Sequence, residues 1–459
     1  MAELNKSIFR EYDIRGIVET DLTEDAVRKI ASAFATIYVR EGKKKISIGM
    51  DGRPSSSSIK KIFIDTICSY GIDVIDIGLV PTPVLYYSVF KLELGGGVII
   101  TASHNPSEYN GFKALLGKNA LSGDEIREIY EIARDQRFPE VKDSGKVETL
   151  DMVSDYIEYV AKNISLDKKI KVVIDSGNGT GGITGLPLFK KLGADVIDIF
   201  TEVDGSFPNH HPDPTKIENL QDLIAKVKET KADLGIGFDG DADRIGVVDS
   251  KGNILWGDML MVIFSRDILK NNKGRKIISE VKASEVLYDE IEKNGGIPIM
   301  WKAGHSLIKK KIFEENAILA GEVSGHIFFN DKWFGFDDAV YSGARLLELL
   351  SRTSQTLDEI VRTIPQKVNT PEIRVETTEA AKFKIVEKIV SEFKGDYDVI
   401  DIDGARIKFP KGWALVRASN TQPSLVLRFE SDTEENLQNI RDIVEPILAK
   451  IVKEVENKS

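Results

Sequence analysis

The chain has one cysteine, no long apolar run and fewer basic than acidic side chains. Cys68 has no partner for an internal disulfide, and its place in the mostly apolar run from Phe63 to Tyr70 reads as a small core side chain. No window approaches the roughly 20 apolar residues that cross a bilayer, and the opening MAELNKSIFREYDIRG lacks the apolar stretch of a signal peptide. A cytoplasmic protein is therefore expected. The net charge of -11 gives a field that repels phosphate backbones and anionic lipid surfaces. No nucleic-acid or membrane partner is expected, and a phosphorylated small molecule would need a local basic pocket.

Hydrophobic residues at 42% and charged residues at 29% are the proportions of a soluble globular protein. At 459 residues the chain is too long for one core, because cores stop growing near roughly 250 to 300 residues. Three stretches share one plan: KISIGMDGRPSSSSIKKIFIDTICSYGIDVIDIG, KVVIDSGNGTGGITGLPLFKKLGADVIDIF and KIISEVKASEVLYDEIEKNGGIPIMW. Each runs from a β-branched strand through a helix-period segment to a second strand introduced by glycine, which reads as a βαβ unit in a mostly parallel sheet. The kinship of GIDVIDIG and GADVIDIF suggests repeated domains of one architecture.

Charged or turn-rich segments place boundaries near residues 150, 253 and 367, giving domains 1–150, 151–253, 254–367 and 368–459. The last differs from the others. EIRVET, a helical segment from Ala380 to Phe393, YDVIDIDGARIKF, WALVRAS and LVLRFE lie close together with short turns, the pattern of an antiparallel sheet in a smaller α+β domain. Apolar residues at helical spacing from Leu437 to Val455 predict a covering helix, with Pro446 expected to kink or restart it. The fold class is α/β: three related domains with mixed, mostly parallel sheets, plus the C-terminal one.

Five segments carry polar groups suited to chemistry. The strand-like GVII at residues 97–100 leads into TASHNPSEYNGFKAL, a turn that can expose the Ser103 hydroxyl; a hydrogen-bonding turn serine is the plainer reading, and His104 could simply brace the loop. In LGIGFDGDADRIGVV, Asp239, Asp241 and Asp243 alternate with Gly240 and Ala242, so a tight loop can converge three carboxylates. Such convergence calls for a cation, and an oxygen-only donor set suits Mg²⁺; the alternative is a solvated acidic turn. Arg244 adds a fixed positive charge. His305 lies in a Gly-preceded turn in WKAGHSLIKKKI, where a structural role is common. Glu322, Ser324 and His326 of GEVSGHIFF fall on alternate positions and would point one way if extended, suiting sugar hydroxyls or an ordinary strand edge. Arg417, Ser419, Asn420 and Thr421 combine a guanidinium, hydroxyls and turn amides suited to phosphate, with a polar hairpin turn as the alternative.

Taken together and in this order, these segments resemble the α-D-phosphohexomutase family, in particular its phosphomannomutase/phosphoglucomutase branch. TASHNP, DGDADR, GEVSGH and RASNT match its phosphoserine, metal, sugar and phosphate loops, and FREYDIRG and FPNHHPDP at residues 207–214 match as well. The resemblance implies four domains around a central cleft, a phosphorylated Ser103, and Mg²⁺ between that phosphate and Asp239, Asp241 and Asp243. It implies that Tyr12, Arg15, Lys113, Arg244 and Lys282 line the cleft, with Lys113 and His305 candidates for proton transfer. Glu322, Ser324 and His326 would meet the sugar, and Arg417, Ser419, Asn420 and Thr421 the phosphate that is not reacting.

The implied reaction interconverts hexose 1-phosphate and hexose 6-phosphate through a hexose 1,6-bisphosphate, in a monomer or homodimer. Phosphoglucosamine mutases resemble the chain in TASHNP yet usually carry Gln where Val323 stands, which favours glucose or mannose phosphates here. An aspartyl-nucleophile, Mg²⁺-dependent sugar phosphatase and a phosphosugar-binding relative without turnover are the rivals from other classes.

Overall fold

The structure is a computed structural model that describes residues 4–420 and 422–457. Its three βαβ units fall where the glycine-introduced repeats predict them. Lys45–Met50 and Asp73–Leu79 pair in parallel around the helix Ser56–Ser69. Lys171–Asp175 and Asp195–Ile199 do so around Gly181–Lys191, and Lys276–Glu280 and Ile297–Trp301 around Glu285–Lys293.

The likeness extends further than the repeats themselves. In each unit a third strand joins the first in parallel: Gly96–Ile100, Leu234–Phe238 and Leu319–Gly321. Each third strand then turns back into an antiparallel partner, Tyr109–Leu116, Ile245–Asp249 or Ile327–Phe329. The turns between these hairpin strands contain Ser103, the three loop aspartates, and the Glu322–His326 segment, so three candidate loops occupy one equivalent position in three sheets. Parallel strands deliver such turns to the carboxyl end of a sheet, where side chains project beyond the packed layers.

The C-terminal unit is an antiparallel sheet whose central strands are Ala405–Phe409, Gly412–Ala418 and Ser424–Ser431. Helices Lys382–Phe393 and Glu434–Glu456 cover one face. The last helix runs unbroken through Pro446, so it does not restart there as one of the two expectations had it. Pro446 lies on the solvent side, where water can satisfy the carbonyl its ring deprives of a partner. Val444, Leu448 and Ile451 stay buried on both sides of it and hold the helix to the sheet. Among the described residues no helix is long and apolar enough to cross a membrane.

Aromatic rings bind the first three units together. Trp333 stacks on Tyr341 at 4.4 Å and on Tyr87 at 5.9 Å, and meets Tyr156 edge-on at 5.7 Å. These rings come from helices Thr82–Lys91, Met152–Asn163 and Ala339–Ser351, so one side chain touches all three sheets' supporting layers. Trp333→Ala is expected to cost about 3–5 kcal/mol, the range for emptying a buried aromatic site. A denaturant midpoint lowered accordingly would verify it; an unchanged midpoint would deny the cluster its role.

Candidate active site

Ser103 is buried and sits in the left-handed region with φ of +51°. A non-glycine residue there costs of order 1–3 kcal/mol and is kept only where surrounding structure enforces it. The enforcement comes from Arg53, whose guanidinium donates to the carbonyls of Ser103, Asn105, Pro106 and Tyr109 and pairs with Asp51 at 3.1 Å. Arg15 adds bonds to the Ala102 carbonyl and the Asn105 side chain while paired with Asp13 at 2.7 Å. The Ser103 backbone N–H donates to Thr101 Oγ1 at 2.9 Å. This leaves the serine hydroxyl directed out of its own loop, where it donates to Asp239 Oδ2 at 2.7 Å and lies 3.1 Å from His104 Nδ1.

The aspartate loop arrives from the second unit and touches the serine loop backbone to backbone. Any side chain at Gly240 would collide with the Ser103 carbonyl, which accounts for glycine at that position. Asp239 Oδ1 accepts the N–H groups of Asp243 and Arg244, both at 3.0 Å, and Ala242 adopts a φ of +57°. The ligand atoms of Asp239, Asp241 and Asp243 converge within 4.8 Å of one another, all fully buried. Thr82 Oγ1 and Lys113 Nζ each donate to Asp241 Oδ2 at 2.6 Å, and Lys113 also donates to Asp243 Oδ2.

Asp241 Oδ1 and Asp243 Oδ1 are buried and have no hydrogen-bond partner among the described residues. Orphaned carboxylate oxygens in a dry site carry a large desolvation cost unless a cation meets them. The donor set therefore fits a hard divalent ion. Burial pushes Asp239 well above the usual carboxylate range, and the charges of Asp243 and Asp241 push it further. Burial alone would lower Lys113, but Asp241 and Asp243 outweigh it and raise it, so Lys113 is a held ammonium.

The third unit supplies a polar cluster beside that loop. His326 accepts from Arg244 Nε at its Nε2, 3.0 Å away. A guanidinium can only donate, so the His326 proton belongs on Nδ1, which faces Asp337 at 3.1 Å and Asp243 at 3.6 Å. His305 stacks on His326 with ring centres 5.3 Å apart and lies 3.2 Å from Lys309 Nζ. Burial, with the charge of Lys309, holds His305 well below the ordinary histidine range and therefore neutral. Lys309 and Asp337 form an ion pair at 2.7 Å.

The Glu322–His326 segment is a turn rather than an extended strand, so its alternate residues do not share a direction. Gly325 causes this: its φ is +92°, and any side chain there would strike the Ile245 carbonyl. Glu322 accepts the Gly304 N–H at 2.7 Å, Ser324 is half-buried in the turn, and His326 turns to Asp337. Tyr12 closes the site from the first unit, donating to the Ala303 carbonyl at 2.7 Å and accepting from Asn420.

From the C-terminal unit, Arg417 pairs with Asp403 at 3.1 Å, and its buried Nε has no hydrogen-bond partner among the described residues. The Ser419 carbonyl accepts from the buried Lys382 at 2.7 Å. Lys282 Nζ stands 3.7 Å from Glu280 and 3.6 Å from Glu372. Thr421 lies outside the described residues. The predicted residues thus divide between two neighbourhoods: Ser103, Lys113, the aspartates, Arg244, His326 and His305 in one, Lys282, Arg417, Ser419 and Asn420 in the other, with Tyr12 reaching across. Sequence reading passed over Arg53, Lys309, Asp337 and Lys382; the only available signal was Arg53's place in a DGRP turn directly after a strand.

Comparison with known proteins gives four matches in chain order. Residues 6–140, 154–252 and 256–368 match phosphoglucomutase/phosphomannomutase alpha/beta/alpha domains I, II and III, and residues 372–447 match the phosphoglucomutase/phosphomannomutase C-terminal domain. A phosphomannomutase/phosphoglucomutase of Pseudomonas aeruginosa strain PAO1 is 46% identical, over 96% of this chain and 95% of that protein. A phosphoglucomutase of Neisseria gonorrhoeae is 44% identical over 96% of each. The crystal structure of a phosphoglucomutase/phosphomannomutase family protein from Burkholderia thailandensis superposes with a TM-score of 0.92 at 40% identity, covering 98% of both chains.

Proposed function

The chain belongs to the phosphoglucomutase/phosphomannomutase family, and on that premise we propose that it moves a phosphoryl group between the 1- and 6-hydroxyls of glucose or mannose monophosphates. The observation that carries this reading is the Ser103 hydroxyl at 2.7 Å from Asp239, across the seam between two units and beside orphaned carboxylate oxygens. Ser103 is the phosphoryl carrier, and the division near residues 150, 253 and 367 gives each domain one loop of the site.

In the first half-reaction the bond from phosphorus to Ser103 Oγ breaks, a bond to the free sugar hydroxyl forms, and that hydroxyl's proton passes to a base. Neutral His305 is suited to take it, and the Lys113 ammonium to stabilise charge at the serine oxygen and return a proton there. The product is the hexose 1,6-bisphosphate. After it reorients, its other phosphate returns to Ser103 by the same steps reversed. Asp239, Asp241 and Asp243 would hold Mg²⁺, which neutralises charge on the transferring group when bound. Arg15 and Arg53 fix the serine loop and Arg244 the His326 ring, while Glu322 and Ser324 meet sugar hydroxyls. Lys282, Arg417, Ser419, Asn420 and Thr421 hold the phosphate that is not reacting.

Val323 supports glucose and mannose over glucosamine, because its apolar side chain packs toward the core and offers no donor or acceptor. The test compares kcat/KM for glucose, mannose and glucosamine 1-phosphates with a trace of glucose 1,6-bisphosphate. Glucose and mannose are expected within about tenfold of each other and glucosamine about 100-fold lower, the scale on which a few polar contacts discriminate. Preference for glucosamine would overturn the substrate assignment. A labelled phosphoenzyme stable to hydroxylamine is expected, and a labile one would indicate an aspartyl phosphate instead.

A further inference from the structure

The C-terminal sheet has two unlike faces. Ile407, Ala414, Val416, Leu425, Leu427 and Phe429 pack beneath the two helices. Alternation along each strand sends their neighbours to the other side. Arg406 lies opposite Leu415 and Leu415 opposite Arg428, so three adjacent strands present these residues in one row. Arg417, two residues beyond Leu415, shares that face.

The face meets the segment of the third domain that bears Lys282. Arg406 is fully buried; its Nη1 donates to the Val281 carbonyl at 2.6 Å and the Ala283 carbonyl at 2.8 Å, and its Nη2 to Glu285 Oε2 at 2.6 Å. Its guanidinium rests 3.8 Å from the centre of the Trp413 ring. Arg428 donates to the Lys282 carbonyl at 2.9 Å. Consecutive carbonyls at 281, 282 and 283 are therefore all held by two arginines from another domain. Glu280 secures the same turn from within by accepting the Lys282 N–H at 2.7 Å.

Docking of two domains would be served by the apolar contact of Trp413 and Leu415 with Val281 alone. Two buried guanidinium groups directed at the backbone on both sides of one lysine do something more specific. They fix where the Lys282 side chain starts, and they do so from the strands adjoining the one that bears Arg417. Lys282 Nζ stands 3.7 Å from Glu280 and 3.6 Å from Glu372, and the charge of Arg417, on the sheet face that meets this turn, bears on both carboxylates as well.

We infer that Arg406 and Arg428 are positioning residues that hold Lys282 at a fixed separation from Arg417, so that cations from two domains act on the non-reacting phosphate as a single clamp. The inference rests on the assignment of Lys282 and Arg417 to that phosphate. A clamp on the non-reacting end contributes to binding in either substrate orientation more than to the transfer step, so its loss should appear in KM.

The test uses the full chain and the variants Arg406→Met, Lys282→Met and the double variant, assayed with glucose 1-phosphate at fixed glucose 1,6-bisphosphate. Arg406→Met is expected to raise KM about tenfold with kcat held within about threefold, and to add less than about twofold in KM on top of Lys282→Met, the non-additivity of residues acting as one unit. A KM within threefold of wild type for Arg406→Met, or effects that multiply in the double variant, would overturn the inference. If Lys282→Met alone leaves KM unchanged, the phosphate assignment fails and the clamp with it. Should Arg406→Met not fold, Arg428→Met takes its place in the same cycle with the same expected values.

Discussion

Ser103→Ala is expected to lower turnover by about 10⁴-fold or more, the scale set by removing a nucleophile that acts with its partners as a unit, while the protein keeps its fold. Among the described residues the nearby hydroxyls are committed elsewhere: Thr82 donates to Asp241, and Thr101 accepts the Ser103 N–H. Neither is placed to carry a phosphoryl group in its stead. Alanine tolerates the left-handed backbone about as poorly as serine does, so the strain at φ of +51° is little altered. The Arg53 and Arg15 bonds to the loop go to carbonyls and to Asn105, not to the lost hydroxyl. Circular dichroism and the thermal midpoint should match wild type, and label from bisphosphate should no longer reach the protein. Turnover above about a tenth of wild type would remove Ser103 from the reaction, since no nucleophile contributes so little.

The second large effect belongs to Asp241. Its Oδ2 accepts from Lys113 and Thr82, while its Oδ1 has no hydrogen-bond partner among the described residues. An asparagine there removes one of three charges from the cation site and brings an amide whose donors have no acceptor role toward a metal. Asp241→Asn should lower kcat/KM by roughly 10²–10³-fold, comparable to deleting one electrostatic contact to a transition state. Calorimetric titration with Mg²⁺ alone should show weakened binding, which separates metal loss from a fault in chemistry. An unaltered Mg²⁺ affinity and activation curve would deny the loop its metal.

Much of this was readable from the chain because it was written locally. A strand, a helix and a glycine-led second strand are each specified by neighbours in sequence, and so the repeats at Lys45, Lys171 and Lys276 emerge in the structure as parallel units. The DGDADR loop was legible for the same reason: small residues between carboxylates force convergence wherever the loop lies. The failures follow from the same logic. The parity expected for Glu322, Ser324 and His326 assumed an extended chain, and Gly325 breaks it by turning under the Ile245 carbonyl. Arg53, Lys309 and Asp337 acquire meaning only through partners far along the chain or in another unit, and no local pattern sets them apart from surface charges. Arg406 and Arg428 likewise find their partners in the third domain, more than a hundred residues away, where no pattern in their own strands points.

The contact between Gly240 and the Ser103 carbonyl reaches beyond the chemistry. Ser103 meets Asp239 across 136 residues, Lys113 meets Asp241 across 128, and Tyr12 meets Asn420 across 408. None of these pairs exists within a single domain. A chain emerging from denaturant can complete each sheet separately, and domains generally fold as units before they dock. Activity is therefore the last property the molecule acquires. During refolding, far-ultraviolet ellipticity should recover ahead of turnover, with the interval between them timing the joining of finished parts.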